Sequence, residues 1–514
     1  MTSDMASDMA SDAASNSRET SRRSWWRSRP SLLLAGTAAM LFAVGGRWDV
    51  AASAWVFPVF LLAFSRRSGV WSGAGWVWGA HGAAAVFWVW ESAIGFNPVV
   101  VGGAVGLAAL QTAPFLVDRL LSGRLRPWQG ALVFPAGLAA AEFLITVLSP
   151  FGTAFGSLAV TQYDNLPLLQ VVSVTGPYGV GFLIGWFAAT VLRIRRWPSW
   201  RSGAVCGSVL VAVLLAGGAR LASGPDGGPT VRVAGVSPSR AVVNAEEAAL
   251  EQLSAENVQF RAAPGAEAGA ITDAVEADLL ASTRREAAAG AKIVVWPEEA
   301  VRTQEAQAGA VIAAAQEGAR QSGVYLEVGL RVDSAAGPAQ DRDEALLIDP
   351  SGTVLWTYRK AHPIPGSESY APGDGRVPVA DTPYGRIADV ICYDADFPAL
   401  MQVRADLMLV PSHDWREYGS AHTKKAALRA VENGYSLIRQ DSAGVSTAFD
   451  SRGRVLATAD WFGTDQQTVV AQLPTHRTAT VYNRIGDTFA RLCLAAVAAL
   501  AVTALIRRHI GEER

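Results

Sequence analysis

Apolar stretches of bilayer length, joined alternately by basic and non-basic connections, constrain this chain more than any other feature. They run over residues 31–47, 51–65, 69–90, 98–118, 129–148, 170–192 and 203–221, with an eighth at 487–506. A helix needs about 17–25 predominantly apolar residues to cross the hydrocarbon layer. Arg66 and Arg67 follow the second stretch, and Arg119, Arg124 and Arg126 the fourth. Arg193, Arg195, Arg196 and Arg201 follow the sixth, and Arg507 and Arg508 the last. The alternate connections are nearly free of Lys and Arg. The positive-inside rule then places the basic loops and both termini in the cytoplasm, in a multi-pass cell-membrane protein. The long polar segment 222–486 is left on the extracytoplasmic side. Composition agrees: 50% of residues are hydrophobic, only 18% are charged, and mean hydropathy is +0.20. Soluble domains carry about a quarter charged residues. A net charge of −2 excludes a nucleic-acid partner, which calls for a basic excess.

The expected organisation follows. Residues 1–30, with Ser-Asp-Met-Ala repeats and then arginines, read as a disordered cytoplasmic tail. Residues 31–221 form a membrane domain of about seven helices, 487–506 a C-terminal transmembrane helix, and 507–514 a cytoplasmic tail. A Gly/Pro-rich linker at 223–229 opens the polar domain. Within 222–486, short β-rich runs recur at 231–236, 292–296, 324–332, 345–348, 387–392 and 407–410. Helical stretches at 268–289 and 304–321 separate some of them. Strands alternating with helices predict an α/β domain with a sheet covered by helices.

Of three cysteines, Cys206 and Cys493 lie in apolar runs and Cys392 alone lies in the polar domain. A disulfide framework is therefore excluded. Cys392 closes the run Ile387-Ala-Asp-Val-Ile, where a strand gives way to a turn whose N–H groups favour a thiolate or an oxyanion. Taken singly, it reads first as a small apolar residue ending a buried strand. Glu298 ends the strand Lys292-Ile-Val-Val-Trp-Pro. Desolvation at a strand exit raises a carboxyl's pKa and suits it to general-base work; the plain alternative is a loop glutamate or a helix-cap partner, and Glu299 stands beside it. Lys360 follows Trp356-Thr-Tyr-Arg and could stabilise an oxyanion, or simply be a solvated lysine. Glu368, in Pro365-Gly-Ser-Glu, could orient that lysine or share its proton work.

The set and its order carry more than any member. Trp-Pro-Glu, then Tyr-Arg-Lys with a downstream Pro-Gly-Ser-Glu, then a strand ending Ile-Cys-Tyr resembles the carbon–nitrogen hydrolase (nitrilase) superfamily. That resemblance implies an α-β-β-α sandwich, with Glu298 as base, Lys360 as oxyanion stabiliser, Cys392 as nucleophile and Glu368 as a supporting carboxylate. The membrane segments on either side make the whole chain similar to the apolipoprotein N-acyltransferase family. Ser149-Pro-Phe-Gly, Pro167-Leu-Leu-Gln, Gly176-Pro-Tyr-Gly-Val-Gly-Phe-Leu, and Ala427-Leu-Arg-Ala-Val-Glu-Asn-Gly with Arg439 add to it. The resemblance implies a phospholipid acyl donor, a diacylglyceryl lipoprotein acceptor, a thioester on Cys392, and no cofactor or metal. Nothing in the sequence requires more than a monomer.

Departures from the family pattern fall outside the triad. Asp394 stands where a glutamate is usual. Ser412-His-Asp-Trp-Arg, Asp441-Ser-Ala-Gly and Val236-Ser-Pro-Ser replace its usual loops. Two other readings compete: a membrane-anchored amidase or hydrolase finished by water, and a non-catalytic lipoprotein-binding relative. A Cys–His mechanism with His413 or His422 as base is a further possibility. No His/Cys/carboxylate spacing resembles a zinc site.

Overall fold

A computed structural model describes residues 28–197, 200–223 and 228–512. Most of the expected N-terminal tail, the middle of the 223–229 linker and the last two residues lie outside the described residues.

Among the described residues, seven helices of twelve or more residues precede the α/β domain: α1 (Arg29–Met40), α2 (Ala51–Arg67), α3 (Val70–Glu91), α4 (Pro98–Leu121), α5 (Pro127–Leu148), α6 (Tyr178–Arg196) and α7 (Trp200–Ala222). Among the described residues, four helices are both long and apolar enough to cross a bilayer: 98–124, 127–148, 200–222 and 488–508. A fifth crossing is available if the bent pair 166–175 and 178–196, 114° apart, counts as one. The expected stretch at 170–192 is thus broken. Gly176, at φ 64°, and Pro177 sit at the bend, and proline cannot continue the preceding hydrogen-bond ladder. The expected stretch at 31–47 is a helix of only 12 residues, about 18 Å long, well short of a hydrocarbon core. The α2 helix has 17 residues. The α3 helix is long enough, but its Gly, Trp and His residues lower its hydropathy. All three nevertheless contribute to one apolar core with α4–α6, through Leu32, Phe57, Leu61, Trp88, Leu107, Phe134 and Ile184.

Among the described residues, thirteen strands follow, in two sheets. The first is ordered β13 (Thr468–Pro474), β1 (Thr230–Val236), β2 (Ile293–Val295), β4 (Tyr325–Asp333), β5 (Arg342–Ile348), β6 (Val354–Arg359), with β3 (Val301–Gln304) also paired to β4. The second is ordered β12 (Val455–Asp460), β11 (Val445–Phe449), β10 (Ser436–Ser442), β9 (Leu407–His413), β8 (Gly385–Asp389), β7 (Val379–Thr382). Their inner strands are parallel and their outer strands antiparallel.

Strand period fixes the layers. Ile293 and Val295 face the core between the sheets, while Val294 faces helices α9 (Gly265–Ala288) and α10 (Ala308–Ser322) with α8 (Arg240–Ala255) beside them. Leu407 and Leu409 face the same inter-sheet core, and Met408 and Val410 face α11 (Ala421–Asn433). The domain is therefore a helix–sheet–sheet–helix sandwich. The chain then leaves through α12 (Thr488–Glu512), which packs against α5.

The non-basic connections of the helical domain meet the α/β domain. Asn97 donates its side-chain N–H to the Gly366 carbonyl (2.8 Å), Trp415 Nε1 donates to Ser92 O (2.5 Å), and both Thr153 N and Oγ1 donate to Asp396 O (2.8 Å each). The basic connections lie at the other end of the bundle.

The inter-sheet core holds an acidic pair. Glu327 on β4 and Asp389 on β8 are fully buried, and among the described residues neither, as a carboxylate, has a hydrogen-bond donor. One shared proton supplies the missing donor. Burial raises Glu327 to about 8 and, with the Glu327 charge, raises Asp389 well above its usual range. A carboxyl raised in the folded state stabilises fully below its unfolded pKa, and that contribution is lost as pH rises through the folded value. Glu327→Gln is therefore expected to flatten the fall in thermal stability of the detergent-purified protein between about pH 5 and 8. The gain at pH 8 should be roughly 2–4 °C per kcal/mol recovered. Melting curves with the same pH slope in both proteins would overturn this.

Candidate active site

Three strand exits and one loop bring the sequence-singled residues together. Glu298 follows β2, where Trp296 N donates to Glu327 O (2.9 Å) and the buried Trp296 ring donates to Thr283 Oγ1 (3.0 Å). Gly329 on β4 lets this segment pack close, since a Cβ there would collide with the Pro297 carbonyl. Lys360 follows β6 and is pinned through its backbone: its N–H donates to Asp343 O (3.0 Å) and its carbonyl accepts from Gly373 N (2.8 Å). Cys392 follows β8 at φ 46°. A left-handed conformation at a non-glycine residue costs about 1–2 kcal/mol, and here it turns the thiol out of the strand line.

Lys360 is the hub. Its Nζ donates to Glu298 Oε1 at 2.6 Å and Glu368 Oε1 at 2.8 Å, and lies 3.6 Å from Asp343 Oδ2. Glu368 is held from its other oxygen by Ile364 N (2.8 Å). One ammonium thus faces three carboxyls in a site where Lys360 and Asp343 are wholly buried. Three ionised carboxylates would leave an excess of two negative charges, so a proton is retained. Asp343 is where it rests. Burial and then the neighbouring Glu298 charge push the Asp343 carboxyl well up, and it hydrogen-bonds Glu298. Burial also raises Glu298, but the Lys360 charge, with hydrogen bonds from Asp343 and Lys360, outweighs it and holds Glu298 below the usual carboxylate value. Burial opposes the Lys360 charge, and Glu298 and Glu368 overcome it, so the ammonium persists.

The thiol faces a second cation. Arg439 Nη2 approaches Sγ at 3.8 Å and is itself held by Asp414 Oδ2 at 3.0 Å, with Arg439 Nε 3.3 Å from Asp441 Oδ2. The Sγ–H points to His413 O at 3.9 Å. Burial and then the Glu298 charge raise the thiol well above its ordinary value, with Lys360 and Arg439 opposing. The resting pair is therefore a neutral thiol beside an ionised Glu298.

The two histidines separate. His413 gives only its backbone carbonyl to the thiol, and its side chain is exposed. His422 is buried, with Nδ1 2.6 Å from Asp414 Oδ1 and Nε2 3.4 Å from Asp396 Oδ2. Cys392, Asp414 and His422 present ligand atoms within 4.8 Å of one another, a spacing that could hold a metal ion. The Arg439 guanidinium already lies there, 3.0 Å from both Asp414 and His422 Nδ1, and a fixed cation disfavours a second one. The expectation that Glu298 is the base predicts that His422→Gln retains acylation of the thiol within about tenfold; complete loss in a folded variant would make histidine the base instead.

Asp394 has a defined place. Its carboxylate accepts from Tyr358 OH (2.7 Å), Ala361 N (3.1 Å), His362 N (2.8 Å) and His362 Nδ1 (2.9 Å). It thereby ties the turn after Cys392 to the turn after Lys360. Sequence reasoning passed over Asp343, and it quoted Arg439 and Asp414 without giving them a role beside the thiol.

A buried Glu–Lys–Cys set at the strand exits of a two-sheet sandwich, carried on apolar helices, defines a membrane protein of the carbon–nitrogen hydrolase class. The comparisons agree for each part. The carbon–nitrogen hydrolase family model matches residues 250–483, and the apolipoprotein N-acyltransferase N-terminal domain matches residues 35–190. An apolipoprotein N-acyltransferase of Geobacter metallireducens is 28% identical over 420 residues, covering 72% of this chain and 73% of the relative. One from Bradyrhizobium diazoefficiens is 26% identical over 403 residues, covering 70% of each. A deaminated glutathione amidase of Yersinia enterocolitica is 34% identical, but over only 23% of this chain and 47% of its own. The chain belongs to the apolipoprotein N-acyltransferase family.

Proposed function

We propose that this protein moves an acyl chain from a phospholipid, through a thioester on Cys392, to the N-terminal amine of a diacylglyceryl-cysteine lipoprotein. The observation that carries the reading is a buried thiol beside the Glu298 charge and flanked by Lys360 and Arg439, in a domain docked on an apolar helix bundle.

Glu298 is too weak a base to ionise the resting thiol, so proton transfer accompanies attack. As Sγ bonds to the ester carbonyl carbon, the thiol proton passes to Glu298 and negative charge builds on the carbonyl oxygen, where Lys360 stabilises it. Collapse breaks the ester C–O bond, and Glu298 returns the proton to the departing lysophospholipid oxygen. The amine of the acceptor then attacks the thioester, loses its proton to Glu298, and leaves as an amide while the thiol is restored. Asp343 keeps Glu298 ionised and aligned by donating to it.

Seating the site against the bundle has a physical reason. Drawing a buried acyl chain into water costs about 0.8 kcal/mol per CH₂, and water exclusion protects the thioester. The arginine-rich connections lie opposite the α/β domain. We therefore place that domain, 222–486, outside the cytoplasm, with the membrane domain at 31–221, a final span at 487–506, and both tails, 1–30 and 507–514, inside. A monomer suffices, because every group named belongs to one chain.

The test is intact mass of the detergent-purified protein after incubation with a defined phospholipid. A gain of one acyl group, discharged by a diacylglyceryl-cysteine peptide with the acyl group recovered on its amine, supports the transfer. Discharge by water alone would make the protein a hydrolase, and no adduct in folded protein would leave the binding role.

A further inference from the structure

At the basic end of the bundle, away from Cys392, the ends of α2, α4 and α6 and the start of α5 surround a groove of about 540 Å³. That volume falls in the roughly 300–1,000 Å³ range of small-molecule sites. Arg66, Arg119, Arg193 and Arg196 line it together with Trp197.

The charges in it do not cancel. Arg66 is taken up by Asp118 in a two-pronged pair at 2.8 Å. Among the described residues, none of Arg119, Arg193 and Arg196 has a carboxylate within salt-bridge distance. Two of them are nevertheless fixed by backbone: Arg119 Nε donates to Ser68 O (3.3 Å) and Arg193 Nη1 to Pro127 O (2.6 Å). Carbonyls orient a guanidinium without neutralising it, and the remaining N–H groups stay available. The 22-residue α5 opens beside them at Pro127, and its N-terminus adds positive potential. Leu125, Ala131, Ala189 and Leu192 make the rest of the wall apolar.

Planar guanidiniums match phosphate oxygens in pairs, and basic pockets between helix ends suit anionic lipid head groups. We propose that this groove binds the phosphodiester head group of an anionic phospholipid, with its glycerol and upper chains against the apolar wall. The lipid is preferred over free phosphate because apolar wall adjoins the charges at the level where the apolar helices end.

The test uses the full-length protein in detergent, exposed to equal phosphatidylglycerol and phosphatidylcholine, with retained lipid counted by native mass spectrometry. Wild type should retain phosphatidylglycerol in at least tenfold preference, and the triple variant Arg119→Gln, Arg193→Gln, Arg196→Gln should lose it. Arg196 is exposed and, among the described residues, makes no polar contact on which folding could depend, so Arg196→Gln alone keeps the idea testable if the triple variant misfolds; it should lower the preference severalfold. The triple lysine variant should keep most of it. Equal retention of both lipids by wild type, or an unchanged preference in either glutamine variant, would overturn the proposal. So would displacement of the lipid by millimolar glycerol phosphate, which would mark a soluble anion site.

Discussion

Protein carrying Cys392→Ala, incubated with phospholipid under conditions that acylate wild type, is expected to gain no acyl mass and to lose transfer by about a thousandfold or more. Loss of an attacking atom costs on the order of 10⁶ in well-studied covalent enzymes, and no other sulfur can substitute. Cys206 lies within α7 and Cys493 within α12, both remote from Glu298 and Lys360. The substitution removes little structure, because Cys392 sits at a turn and makes only long polar contacts, 3.8 Å to Arg439 and 3.9 Å to His413 O. Its φ of 46° is as costly for alanine as for cysteine. Melting temperature should therefore stay within a few degrees. Cys392→Ser separates nucleophilicity from packing: the hydroxyl fills the same space, but an alcohol is ionised far less easily than a thiol, and Glu298 is held too acidic to compensate. Any ester formed on the serine of that variant should accumulate at no more than a small fraction of the wild-type rate. An unchanged acyl adduct in the alanine variant would sink the thioester scheme.

The residues legible in the sequence are those at the ends of apolar runs. Glu298, Lys360 and Cys392 each follow a β-rich run, and a polar residue where a buried run stops is a visible signal. Asp343 gives no such signal. It lies between Arg342 and Glu344 at the start of β5, so its local pattern is that of a solvated strand edge. Only the antiparallel pairing of β5 with β6, which sets Glu344 opposite Arg359, brings Lys360 onto it. Arg439 and Asp414 are hidden for a related reason. Their partners come from parallel neighbours β9 and β10 and from α11, contacts of long sequence separation that periodicity does not report. The helical domain divides in the same way. Helices α4, α5, α7 and α12 stand out by length and hydropathy together, whereas the apolar runs across Gly176-Pro177 and past Met40 continue through the points where the helices stop, so hydropathy does not mark those breaks. The outer antiparallel strands β7 and β12 of the second sheet went unmarked because one face of each is partly exposed.

Lys360→Met is the second large effect, and its sign follows from charge. In wild type one buried ammonium faces Glu298 and Glu368 beside a protonated Asp343. Methionine fills similar volume but leaves three carboxyls with no cation. Removing one partner of a buried ion pair costs about 3–5 kcal/mol, and the site can escape that cost only by taking up protons. Glu298 then becomes neutral and can no longer accept a proton from the thiol, while the oxyanion loses its stabilising charge. Acylation should fall by at least about a thousandfold, and the melting temperature should drop by several degrees at pH 8 but much less at pH 5. The pH split distinguishes this account from simple loss of packing, since a methionine that merely fits badly would destabilise equally at both values. Asp343→Asn provides the complementary variant. An amide keeps the neutral donor to Glu298, so near-normal acylation is expected, whereas Asp343→Leu removes the donor and should slow it by about tenfold or more. Equal slowing in both variants would mean that Asp343 supplies shape alone, and that Glu298 is held in place by Lys360 without its help.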